Sequence, residues 1–202
     1  MALLLIRHGE TDLNARRVLQ HPETPLGASG LEQAAHLGRS LASRQVELVL
    51  TSDYARAHMT ADSVAQSTGA PLMKNENLRE RNFGAIRGRS YDELDEFDLF
   101  SHDYIPPEGE SWPEFNQRVD RAWRDVADHA QSLAGDLVVV THGLVLRSLV
   151  ERVLEVSHLG LSDDFVVANT AVTTVEHCEP WKVIEFASVA HLPGAATNRA
   201  PV

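Results

Sequence analysis

A single cysteine, Cys178, stands in 202 residues, so an internal disulfide is impossible and the reducing cytoplasm is the expected compartment. No apolar run approaches the roughly 18 residues that span a bilayer. The N-terminal run, Ala2 to Ile6, is too short for a signal-peptide core and has no cleavage-like segment after it. Positive charge is scarce: 18 Lys and Arg face 29 Asp and Glu, a formal net charge of −11. That balance argues against nucleic acid and anionic membrane as partners. Lysine itself is nearly missing, with 2 Lys against 16 Arg, so the positions of the arginines carry the information. Several site signatures are also absent: no GxxxxGK phosphate loop, no GxGxxG after a strand, no HExxH, CxxC or GxSxG. His36, His58 and His129 fall on helices without a second ligand at metal spacing, and Asp92, Asp95 and Asp98 lack a glycine-bearing loop. They read as helix-surface residues, and neither a metal nor a cofactor is expected.

What is present, 43% hydrophobic and 23% charged residues, belongs to a globular chain long enough for a large core and one domain. Apolar runs read as strands over Ala2–Ile6, Val46–Thr51, Ala70–Lys74 and Asp136–Thr141, the last being DLVVVT. Helical spacing fills the intervals from Ser29 or Gly30 to Arg44, from a Ser52 or Asp53 cap to Gly69, from Ser111 to Ala134, and over Leu144–Leu154. Asp12 to Gly27, with Pro22 and Pro25, reads as irregular. Strands over Val166–Cys178 and Lys182–Val189 are joined by Glu179 and Pro180, a connection short enough to require an antiparallel pair. The expected fold is α/β: a three-layer α/β/α sandwich with a mostly parallel sheet and an antiparallel C-terminal edge. One domain covers residues 1–189, and a loose tail follows from Ala190. Residues 78–113, rich in Gly, Pro and acids, break the alternation; they read as an insertion with a short helix around Tyr91–Phe100, placed as a lid over the carboxyl edge of the sheet. The C-terminal edge could pair with a second subunit, which leaves a homodimer open.

Ligands of open α/β sheets bind outside the carboxyl ends of the strands. Arg7 and His8 follow the first strand; alone they are equally well read as polar residues leaving a sheet. Ser52 follows the second strand, with Arg56 four residues later. His142 and Gly143 follow the DLVVV strand at a helix start. If these strands are parallel, two arginines, two histidines and two helix N-termini meet on one edge. Arginines and helix N-termini both favour an anion, and phosphate is the natural candidate.

The sequence RHGET with Asn14 resembles the signature of the histidine phosphatase superfamily, also called the phosphoglycerate mutase-like fold. The likeness continues through TPLGASGLEQA (24–34), TSDYARAHMTA (51–61), LRERNFG (78–84), PPEGESWPEF (106–115) and VTHGLVLRSL (140–149). The resemblance implies that His8 is the nucleophile and forms a phosphohistidine. It also implies that Arg7 and Arg56 clamp the phosphoryl oxygens, that His142 stabilises the transferring group, and that Glu80 is the acid/base. Asn14 and Gly143 are candidate phosphate ligands.

Departures cluster on the substrate side. Many phosphatases of this group carry Gln-Gly before TPL, whereas Gln20 is followed here by His21. The frequent Trp-Glu-Gly is replaced by Ile86-Arg87-Gly88. Gln20, His21, Arg81 and Arg87 are therefore candidate substrate residues, and Arg81, Arg87 or Arg89 is expected either to meet a second anionic group or to pair with the Asp92–Asp98 patch. Residues 91–111 contain no Lys or Arg, which favours hydrolysis over a mutase that must grip a bisphosphate. The expectation is a phosphomonoesterase acting on a small phosphorylated metabolite. Phosphoglycerate mutase and a non-catalytic phosphoanion-binding protein are the alternatives.

Overall fold

The computed structural model describes residues 1–94 and 98–194. Asp95 of the acidic run, the centre of the expected 91–100 helix, and tail residues 195–202 lie outside them. A six-stranded sheet has the order β3-β2-β4-β1-β5-β6. β1 (Leu3–Arg7), β2 (Val46–Thr51), β3 (Leu72–Lys74) and β4 (Asp136–Thr141) are mutually parallel. β5 (Val172–Val175) and β6 (Val183–Ser188) add the antiparallel edge.

β1 and β4 read as unbroken apolar runs because helices cover both faces of the sheet. Alternation within each strand divides the core. Leu4, Ile6, Val49, Val138 and Val140 pack with Leu37 and Leu41 of α2 (Ala28–Leu41) and Ala57, Ala61 and Val64 of α3 (Ala55–Thr68). Leu3, Leu5, Leu48, Leu50, Leu137 and Val139 face Phe115, Val119, Trp123 and Val126 of α4 (Trp112–Ser132) and Val145 and Leu149 of α5 (Gly143–Arg152). This is the expected three-layer α/β/α sandwich. A third apolar cluster, Leu19, Phe83, Ile86, Leu94 and Leu99, holds the segment beyond β3 together. No helix among the described residues is long and apolar enough to cross a membrane.

Four local expectations are corrected. A one-turn helix α1, Asp12–Ala15, starts inside the stretch read as irregular, because Thr11 and Asn14 form a reciprocal capping box. The α3 helix begins at Ala55 behind Tyr54, and the Ser52 hydroxyl accepts the Tyr54 N–H instead of capping the helix itself. Of the residues placed in the 91–100 helix, Asp92–Leu94 form a 3-10 turn. The strand read from Val166 starts only at Val172, because residues 167–170 turn away to bind the end of β1: Arg7 Nη1 donates to the Val167 carbonyl and Thr170 N to the Arg7 carbonyl.

Candidate active site

The loop after β1 is pinned from three sides. His8 N donates to the Thr141 carbonyl of β4 at 2.9 Å, Gly9 N to the Thr60 hydroxyl of α3 at 3.0 Å, and Asn169 Nδ2 to the His8 carbonyl at 2.9 Å. Gly30 permits the approach of α2 to this loop, since a Cβ there would lie 1.9 Å from the Glu10 carbonyl oxygen. The buried His8 imidazole has Nδ1 2.7 Å from the Gly9 carbonyl. A carbonyl only accepts, so Nδ1 carries the proton and Nε2 carries the lone pair. Arg56 Nε donates to that Nε2 at 3.2 Å. Burial foremost, then the charges of Arg56 and Arg7, hold the His8 pKa well below 6.5. The imidazole is therefore neutral with its lone pair facing the cation.

Arg56 sends Nη1 to the His21 carbonyl at 3.0 Å. Burial lowers its pKa to about 10, which leaves it charged at neutral pH. From the end of β4, His142 places its ring centroid 5.2 Å from that of His8. His142 Nε2 is 2.9 Å from the Ser52 hydroxyl at the end of β2, and Tyr54 packs edge-on at 5.3 Å. Burial, then Arg56, keeps His142 neutral as well. Thus the three parallel strand ends do converge. Among the described residues, three buried side-chain nitrogens lack a hydrogen-bond partner, and two of them, Arg7 Nε and His142 Nδ1, are in this cluster. Such orphans are costly in a closed core. Beside a neutral imidazole and Arg56, they fit the oxygens of a phosphoryl group.

Glu80 stands across the site. Its Oε1 accepts Arg81 N at 3.0 Å and its Oε2 accepts Leu144 N, in the first turn of α5, at 3.1 Å. Gly143 opens that helix beside it, where a Cβ would lie 3.7 Å from Arg7 Nε and 3.9 Å from Glu80 Oε2. Burial raises the Glu80 pKa above its usual range, against the two N–H groups and the charges of Arg56 and Arg7. A shift in that direction suits a group that must give up a proton and later take one back. The loop carrying it is anchored by Arg118 of α4, whose guanidinium reaches the Asn77, Arg79 and Glu80 carbonyls at 2.8, 2.7 and 3.2 Å. The same guanidinium holds Glu110 through two 2.7 Å bonds. Sequence reasoning missed Arg118, Glu110 and Tyr54. The signal for Arg118 was its place three residues after Phe115 and one before Val119, on the edge of the buried face of α4.

The other candidates divide. Asn14 Oδ1 accepts from Thr11 N, Gln20 Oε1 accepts from the Thr11 hydroxyl, and both residues line the cavity of about 1140 Å³ that contains Arg7, His8, Arg56 and Glu80. His21 is exposed; it contributes its carbonyl to Arg56 and does not line that cavity. Arg87 does, and donates to the Tyr54 hydroxyl at 3.1 Å. Arg89 is on the surface with Glu93. Arg81 is only 1% exposed: Nε, Nη1 and Nη2 donate to the carbonyls of Glu110, Leu99 and Tyr104, and the guanidinium lies 4.1 Å from the Trp112 ring centroid. Its donors tie residues 99–110 to the Glu80 loop. Among the described residues no group of three or more His, Cys, Asp or Glu side chains is arranged to hold a metal ion.

The sheet order thus brings the two neutral histidines and their arginines together at one edge of the sheet. The family model described as histidine phosphatase superfamily (branch 1) matches residues 3–187, and the chain belongs to that superfamily as a phosphatase enzyme. It is 31% identical over 163 residues to the "Probable phosphoglycerate mutase GpmB" of Escherichia coli, covering 76% of this chain and 75% of the relative. Among solved structures, YhfR of Bacillus stearothermophilus superposes with a TM-score of 0.80 at 29% identity, covering 94% of this chain and 98% of the other. The alpha-ribazole phosphatase of Shigella flexneri gives 0.78 at 28% identity, with 94% and 97% covered.

Proposed function

We propose that the protein is a metal-independent phosphomonoesterase that hydrolyses small phosphorylated metabolites through a phosphohistidine on His8. The observation that carries this reading is the fixed tautomer of His8, with Nδ1 tied to the Gly9 carbonyl and an unprotonated Nε2 held at Arg56. In the first step Nε2 attacks phosphorus and the P–O bond to the leaving group breaks. Arg7, Arg56 and His142 bind the phosphoryl oxygens as their charge grows, and Glu80, entering protonated, gives its proton to the leaving oxygen. Water then attacks phosphorus from the vacated side. Glu80 takes its proton, the P–N bond breaks, and the electron pair returns to Nε2. Positioning and fixed positive charge are what phosphoryl transfer needs, and here arginines supply the charge.

Phosphate release from p-nitrophenyl phosphate in the presence of a chelator, abolished in His8→Ala, is the expected result. Full activity in that variant would overturn the nucleophile assignment. The name of the Escherichia coli relative favours a second reading, a phosphoglycerate mutase. Against it stand the lack of Lys and Arg in residues 91–111 and the commitment of Arg81 to three carbonyls. Interconversion of 3- and 2-phosphoglycerate faster than phosphate release would favour the mutase.

A further inference from the structure

The cavity beyond the phosphate cluster has aromatic and aliphatic walls. Tyr91 and Phe100 form a nearly parallel pair, with ring centroids 6.3 Å apart and planes at 22°. Tyr91 lines the same cavity as Arg7, His8 and Glu80. Phe165, Val166, Leu13 and Phe83 also line the cavity. Phe100 is 53% exposed and Val166 45% exposed, so both lining side chains keep apolar surface that a bound group could cover.

The other arginines lining the cavity already have neighbours of their own. Arg81 is enclosed by carbonyls and Trp112. Arg147 is held by the Glu151 carboxylate and the Asp163 carbonyl, and its guanidinium lies 5.0 Å from the Phe165 ring centroid. Arg17 lies over the Tyr91 ring at 5.6 Å and Arg87 donates to the Tyr54 hydroxyl. Glu151, Asp163 and Asp164 line the same cavity and would repel a carboxylate entering beside Arg147.

We infer that the cavity selects phosphomonoesters whose leaving group is a bulky apolar or aromatic alcohol without a second anionic group, held between the Tyr91–Phe100 pair and Phe165–Val166. The inference rests on the hydrolytic reading above and adds the chemical class of the leaving group. The test compares 3-phenylpropyl phosphate with n-propyl phosphate, two primary alkyl esters of similar leaving-group basicity, and with 3-phosphoglycerate. The expected kcat/KM for the phenylpropyl ester exceeds each of the others by at least about tenfold, the scale that a few buried carbons supply in a pocket. In Phe100→Ser and Val166→Ser, changes at exposed positions, the ratio between phenylpropyl and propyl esters falls towards one. Equal kcat/KM for the two alkyl esters, preference for 3-phosphoglycerate, or a ratio unmoved by both substitutions overturns the inference and leaves the phosphatase reading intact. A folded wild-type enzyme that turns over none of the esters overturns both.

Discussion

Replacing Glu80 by Gln separates the two jobs assigned to one carboxyl group. The substitution is nearly isosteric, but Gln offers one acceptor oxygen where two main-chain N–H groups, of Arg81 and Leu144, now find one oxygen each. One N–H is left facing an NH2 group, a loss of about 1–3 kcal/mol in stability, which the fold should survive. The chemical loss depends on the leaving group. An alkoxide must be protonated as it departs, and general acids contribute about 10²–10⁴-fold, or roughly 3–5 kcal/mol of barrier. A p-nitrophenolate leaves without a proton. Because kcat/KM reports events up to formation of the phosphoenzyme, Glu80→Gln should lower it about 10²–10⁴-fold for n-propyl phosphate and less than about tenfold for p-nitrophenyl phosphate. Dephosphorylation needs Glu80 as a base with either ester. Rapid mixing with p-nitrophenyl phosphate should therefore give a burst of p-nitrophenol close to one per active site, followed by slow turnover. An equal fall in kcat/KM for both esters, or no burst, would refute the division of labour.

Two further outcomes test the supports of the site. Arg81→Met removes three hydrogen bonds to main-chain carbonyls, one buried and two part-buried, and should cost about 3 kcal/mol in denaturant unfolding, with Arg81→Lys failing to restore it because one ammonium cannot meet carbonyls in three directions. Unchanged stability, with a higher KM only for carboxylated esters, would instead assign Arg81 to substrate. Stability should also fall with pH just below 6.5: unfolded His8 and His142 bind protons there while their folded forms, with depressed pKa values, stay neutral. Each contributes up to about 1.4 kcal/mol per pH unit. The raised pKa of Glu80 acts oppositely, adding stability as pH falls through its raised value towards 4.5. His8→Gln should flatten the unfolding midpoint between pH 7.5 and 5.5, and an unchanged slope would show that His8 is protonated in the fold.

The sheet was legible because its physics is local and periodic. DLVVVT can hardly be other than a buried strand, and Asp136–Thr141 is one. The meeting of Arg7, Arg56 and His142 followed from topology alone, since parallel strands put their ends on one edge. Sequence reasoning failed where long-range pairing decides the outcome. Val166–Thr170 has the composition of a strand, yet its backbone is used to bind the end of β1. Arg81, beside Glu80 in an arginine-rich loop, was expected to meet a second anionic group or to pair with the Asp92–Asp98 patch; only the carbonyls of residues 99, 104 and 110 and the Trp112 ring show why a guanidinium is buried there. No period in the sequence encodes such a bracket.

The claim on which all of this depends is that His8 Nε2 becomes bonded to phosphorus. Acid quenching would hydrolyse such a bond, so the enzyme should be mixed with 32P-labelled phosphomonoester, quenched in alkaline denaturant, and mapped by peptide. The expected result is acid-labile, alkali-stable label on the peptide containing His8, near one per site in Glu80→Gln and absent in His8→Ala. Label on another residue, or full turnover in Glu80→Gln and wild type without any labelled enzyme, would contradict it.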